Sequence, residues 1–160
     1  MASTGDYASQ AAAEWLGCAG PTLDDRVSEP FQLDPRLAAD TLHLGDFALC
    51  RVLLANDARF PWLILVPRRA GLADLIDVAP QDRALLAAEV DQAARALKGA
   101  VRCDKLNVAS LGNVVRQLHV HVVARTTDDA AWPRPVWGVG EAVPYGGQST
   151  PATLRQALFG

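Results

Sequence analysis

The alternation of apolar and polar positions predicts most of the elements from residue 41 onward. Thr41-Leu42-His43-Leu44 and residues 47–54 are two strand-like runs, with the turn dipeptide Gly45-Asp46 between them, and so predict a hairpin. Asn56-Asp57-Ala58-Arg59 interrupts the apolar run. Trp62-Leu63-Ile64-Leu65-Val66 then resumes it until Pro67, as a strand buried on both faces would. The period next changes to that of a helix. Leu86, Val90, Ala93 and Leu97 recur at steps of three and four, with Asp77 and Pro80 near the expected start and Gly99 near the expected end. Asp82, Glu89 and Arg95 are assigned to the opposite, solvent face. Two more strands are predicted at 105–109 and 118–124. From Thr126 the chain is rich in Pro, Gly and Trp and reads as ordered coil packed on the body. Upstream, residues 8–18 read as a short helix or a mobile arm, and 24–35 as a connector containing two prolines.

Strands with one long helix between the third and fourth predict an α+β fold, an antiparallel sheet of about five strands covered by that helix. The expected organisation is an arm and connector over 1–35, the main domain over 36–127 and a packed tail over 128–160. Half of the 160 residues are hydrophobic, enough for a substantial core. The formal charge of −3 carries no basic surplus, so binding to nucleic acid through many phosphate contacts is not expected. One or two local cations would still suffice for a small anion. Cys18, Cys50 and Cys103 are widely spaced and form no C-x-x-C pair, which suggests reduced thiols in a cytoplasmic protein. Residues 1–10 lack the basic and apolar regions of a secretory signal, and no apolar run approaches the ~20 residues that span a bilayer. A soluble protein without a membrane partner is expected.

The candidate chemistry lies on the last strand. Alternate side chains of a strand share a face, so Gln117, His119, His121 and Val123 point one way and Leu118, Val120, Val122 and Ala124 the other. The second set is wholly apolar, as a core face should be. The first places two imidazoles ~7 Å apart along the strand. Burying imidazoles costs free energy unless each is hydrogen-bonded, so a strand selected for stability alone would rarely carry both. Just upstream, Ser110-Leu111-Gly112-Asn113 is a loop whose glycine lets backbone N–H groups approach a ligand. Such amides form anion-binding concavities. Arg125, at the strand's end, adds a candidate cation. Together these residues suggest a phosphate site.

The run Gln117-Leu118-His119-Val120-His121-Val122-Val123 resembles the signature of the histidine triad family, His-φ-His-φ-His-φ-φ, with Gln in place of the first His. Gly112 sits where that family has a phosphate-loop glycine. Asn56 resembles the family's ribose-contacting Asn or Asp, and Asn107 its polar residue on the preceding strand. The likeness runs in element order from Leu42 to Arg125. Trp132-Pro133-Arg134-Pro135-Val136-Trp137-Gly138 is loosely similar to Trp-Pro segments of family tails, which approach the partner subunit's site.

What the resemblance implies is a nucleotide hydrolase or transferase acting at an α-phosphorus. Its substrate would be a dinucleoside polyphosphate or a nucleoside phosphoramidate. His119 would be the nucleophile that carries a nucleotidyl intermediate. His121 would orient phosphate oxygens or assist the leaving group, and Gln117 would complete the catalytic set. Asn56, Asn107, Gly112, Asn113 and Arg125 would bind substrate. The resemblance implies no metal and no cofactor, and a homodimer. Gln117 departs from the pattern because it cannot be protonated, although its amide can donate. Val114 departs too, standing where many members have a phosphate-touching Ser or Thr.

Other readings stand beside this one. The two histidines could be structural, satisfied by core carbonyls, or could chelate a metal as part of an unrelated enzyme. A cupin, however, would need a Glu soon after His121, and Val122-Val123-Ala124-Arg125 has none. The chain could also be a nucleotide-binding module with little or no turnover. His43 reads as a surface histidine, Asn56 also as a turn residue, and Trp132 and Trp137 as packing residues.

Overall fold

A computed structural model describes residues 30–160. The expectations for residues 8–18 and Cys18 lie outside that range. Pro35–Asp40 form a short helix, α1. Pro35 opens it, and the Asp34 side chain accepts from the Arg36 N–H at 2.8 Å. Proline suits the first helical turn because that N–H has no helical partner, and an Asp cap satisfies another of these amides. Five strands follow: β1 (Thr41–Asp46), β2 (Cys50–Ala55), β3 (Trp62–Pro67), β4 (Lys105–Ala109) and β5 (Val120–Arg125). They form one sheet in the order β1-β2-β3-β5-β4, antiparallel throughout. The 21-residue helix α2 (Pro80–Ala100) links β3 to β4, and α3 (Thr150–Phe159) closes the chain.

One face of the sheet carries Val52, Leu54, Leu63, Leu65, Val120, Val122 and Ala124, and packs with Leu86, Ala93 and Leu97 of α2 and Leu154 and Leu158 of α3. The other face carries Leu53, Ile64 and Val66 beneath Leu37 of α1. Farther along, Val123 packs with Phe60, Ala131 and Val136. The alternation expected for β5 therefore holds, although its ladder begins at Val120 rather than Leu118.

Three expectations are corrected. Gly45-Asp46 is not the hairpin turn. Both residues stay in β1, across a bulge that follows His43, and the chain reverses at 47–49, where the Phe47 N–H bonds the Cys50 carbonyl at 2.8 Å. Gly45 instead admits a ring, since a Cβ there would lie 2.7 Å from Phe159. The tail is not only coil. A helix runs from Thr150 with Pro151 in its first turn, and Leu154 and Leu158, one turn apart, enter the core. Glu89 does not face solvent. It is buried, and its two oxygens accept the N–H groups of Leu49 and Cys50 at 2.7 and 2.8 Å, which secures the end of the hairpin loop to α2.

Candidate functional site

Antiparallel register places His121 of β5 between Ile64 of β3 and Ala109 of β4, on the sheet face away from α2. His119 precedes it by two residues on the same side. Both imidazoles are buried in the fold but line a cavity of about 720 Å³. Their ring centroids are 4.7 Å apart and nearly perpendicular. The walls come from α1 and the start of β1, the β2–β3 loop at Asn56, the loop at 111–115, and Trp137 of the tail.

The hydrogen bonds assign a tautomer to each ring. His119 Nδ1 lies 2.6 Å from the backbone carbonyl of Gln117. A carbonyl only accepts, so this nitrogen carries the proton and Nε2 keeps its lone pair. His121 Nδ1 lies 2.9 Å from Nε1 of Trp62. An indole N–H only donates, so His121 Nδ1 is the bare nitrogen and the neutral ring carries its proton on Nε2. The rings of Trp62 and Trp137 pack against His121 at 5.2 and 5.3 Å between centroids. Burial, and secondarily the neighbouring His119, lower the His121 pKa from 6.5 to about 4. The site thus presents one imidazole as a lone-pair donor and the other as an N–H donor, with neither Nε2 hydrogen-bonded among the described residues.

Gly112 and Asn113 line the same cavity. Gly112 has φ of +74°, a left-handed conformation that glycine adopts without strain and that turns the loop toward the histidines. Val114 lines the cavity with its side chain largely exposed, and its carbonyl accepts from Arg36. Asn56 also lines it. Its side-chain oxygen accepts the Tyr145 N–H at 3.1 Å and its own N–H donates to Asp40 at 3.0 Å, so it is a junction between α1, β2 and the tail. Asp57 beside it is held by Arg59 and by the Val143 N–H. Among the described residues, the charged side chains lining the cavity are the carboxylates Asp40 and Asp57, and no Lys or Arg lines it.

Three residues singled out from the sequence lie elsewhere. Gln117 precedes β5, and its amide donates to the Gln32 carbonyl and accepts the Asp34 N–H, at 2.8 and 2.9 Å, which fastens the entry to α1. Arg125 is almost wholly buried away from the cavity, in a two-pronged ion pair with Asp129 at 2.6 and 2.9 Å. Asn107 accepts from the same guanidinium at 2.9 Å, and the Trp132 ring lies 5.7 Å from it. His43 is exposed beside Asp46. No group of three or more His, Cys, Asp or Glu capable of holding a metal occurs among the described residues.

Trp62 was missed. It is on the face of His121 only through the β3–β5 register, which the pattern of a single strand does not reveal. Trp137, expected to pack or to approach a partner's site, lines the cavity of its own chain.

The HIT domain matches residues 36–128 of this chain. A histidine triad protein from Bradyrhizobium japonicum is 46% identical, with 82% of this chain and 100% of that chain covered and a TM-score of 0.79. Histidine triad proteins from Sinorhizobium meliloti 1021 and Marinobacter aquaeolei VT8 are 44% and 43% identical. The match covers 80% and 81% of this chain and 97% of each of theirs, at TM-scores of 0.77 and 0.78. No curated protein matches.

Proposed function

Since the chain belongs to the histidine triad (HIT) family, whose membership supports a nucleotide-binding or hydrolase-type function, we propose that it cleaves a nucleoside phosphoryl compound at the α-phosphorus through His119. The observation that carries this reading is the hydrogen bond from His119 Nδ1–H to the Gln117 carbonyl, which leaves the Nε2 lone pair on a ring lining the cavity. Nε2 attacks phosphorus, the bond to the leaving group breaks, and the leaving group takes the electron pair. The Gln117 carbonyl stabilises the imidazolium character that develops. His121 Nε2–H and the amides near Gly112 and Asn113 donate to phosphoryl oxygens, each well-placed donor being worth roughly 3 kcal/mol in such sites. Water or another acceptor then releases the nucleotidyl group, so one difficult step becomes two. Asn56 is the candidate ribose contact.

Gln117, Asn107 and Arg125 support the fold in this reading rather than touch substrate. We also propose a homodimer, because β4 ends the sheet with Val108 half exposed and Leu111 and Val114 exposed close by in sequence. Free Cys50 and Cys103 fit a cytoplasmic setting. Among the described residues no helix is long and apolar enough to cross a membrane.

The test is brief exposure to diadenosine polyphosphates and to an adenosine phosphoramidate, followed by intact-mass analysis. A nucleotide-sized adduct that disappears in His119→Ala, together with turnover, supports the enzyme. Tight binding with neither adduct nor product would make the protein a nucleotide-binding module instead.

A further inference from the structure

His121 accepts a hydrogen bond that most neutral side chains could not force upon it. The indole of Trp62 has a proton and no lone pair available in the ring plane, so its contact with His121 Nδ1 at 2.9 Å has only one polarity. Were His121 to become an imidazolium, two N–H groups would face each other across that distance in a buried setting. The two indole rings packed on His121 leave it little room to turn away. The ring can therefore donate from Nε2, but it resists taking up a second proton to hand on.

We propose that Trp62 is a positioning residue that holds His121 as a neutral N–H donor, and that the site consequently selects substrates by how readily their leaving group departs unprotonated. This inference rests on the nucleotidyl-transfer reading above. In the step it describes, His119 Nε2 forms the bond to phosphorus and the bond from phosphorus to the leaving oxygen breaks. The leaving group takes the pair as an anion, while the proton stays on His119 Nδ1, donated to the Gln117 carbonyl, and the ring carries the positive charge. No proton from His121 is consumed.

Among the described residues, neither Gln117 nor the carboxylates that line the cavity replace that proton. Gln117 has none to give, and its amide is bound to Gln32 and Asp34. Asp57 is a carboxylate bound by Arg59 and the Val143 N–H, and Asp40 is an exposed carboxylate. The low His121 pKa is consistent with this arrangement, with burial as its first cause. The favoured class is therefore a nucleoside phosphoryl compound with an acidic leaving group, rather than an amine or alkoxide that must be protonated as it leaves. With no Lys or Arg lining the cavity among the described residues, a leaving group carrying several charges also gains no cationic partner from them.

Two measurements test the proposal. On the ligand-free protein, nitrogen NMR should show His121 with Nδ1 bare and Nε2 protonated at neutral pH, and a coupling across the hydrogen bond from Trp62 Nε1. A protonated Nδ1, or no coupling, overturns the proposal whatever the activity. The second measurement uses aryl esters of adenosine 5′-phosphate whose phenols differ in acidity. The wild type should favour the 4-nitrophenyl over the phenyl ester steeply, and Trp62→Phe should reduce that preference about three- to tenfold, the effect of one net hydrogen bond. An unchanged preference in a folded Trp62→Phe variant overturns the proposal even if turnover persists. Inertness of every ester in the wild type, with the coupling observed, would instead overturn the nucleotidyl-transfer reading and the selectivity resting on it.

Discussion

Acidification from pH 7.5 to 5 is expected to destabilise the protein by about 2 kcal/mol through His121 alone. In the unfolded chain the imidazole takes up its proton near 6.5, whereas in the folded chain burial and His119 postpone this to about 4. Between those values the unfolded state binds the extra proton, so stability falls as the pH falls, by about 1.4 kcal/mol per unit. Above 6.5 this contribution is intact. Below 4 the loss levels off, having reached about 3 kcal/mol. Urea unfolding at the two pH values, for the wild type and His121→Phe, isolates the effect. Phenylalanine keeps an aromatic ring beside Trp62 and Trp137 but has nothing to titrate. Asp46, Asp57, Asp128 and Asp129, whose pKa values are lowered in the fold, contribute to both proteins alike. The wild type should lose about 2 kcal/mol more than the variant, or roughly 4–8 °C in midpoint temperature. Equal losses in the two proteins would refute the claim that this ring is held neutral by its surroundings.

Other outcomes follow from residues outside the imidazole pair. Glu89→Met removes the acceptor of two buried amides and should cost about 2–4 kcal/mol, read as a lower urea midpoint with an unchanged slope; a loss under about 0.5 kcal/mol would show that these amides find other partners. Arg125→Met strands the buried Asp129 carboxylate and should cost about 3–5 kcal/mol. Its KM should match the wild type at a temperature where it remains folded, and a raised KM would restore Arg125 to the substrate site. Gly112→Ala forces a side chain into φ of +74° and should cost about 1–2 kcal/mol while weakening nucleotide binding, measured by calorimetry.

The parts of the fold legible in the sequence are those set by local periodicity. The two-residue repeat across 117–124 separated the imidazoles from the core residues because side-chain direction in a strand depends on nothing distant. Glu89 shows a rule misapplied. It lies three residues after Leu86 and four before Ala93, within the apolar arc, but its charge suggested solvent, and the amides it serves come from another element. The helix at the C-terminus had readable signals in Pro151 and the Leu154–Leu158 spacing, obscured by the Gly- and Pro-rich stretch before it. Arg125 faces the same way as the histidines by alternation, yet at the strand's end it meets Asp129 four residues later. Trp62 could not be placed without knowing which strands pair and in what register.

The reach of the last thirty residues changes what counts as a working unit. Cutting the chain where the recognisable HIT match stops, at residue 128, would take away the indole against His121, the amide that Asn56 anchors, and the two leucines that α3 inserts beneath the sheet. Such a fragment would keep every letter of the motif and lose the room in which the motif operates. Alignment of the signature alone is therefore a poor guide to where this protein can be shortened, and engineering of its pocket should begin from the segment that follows the signature.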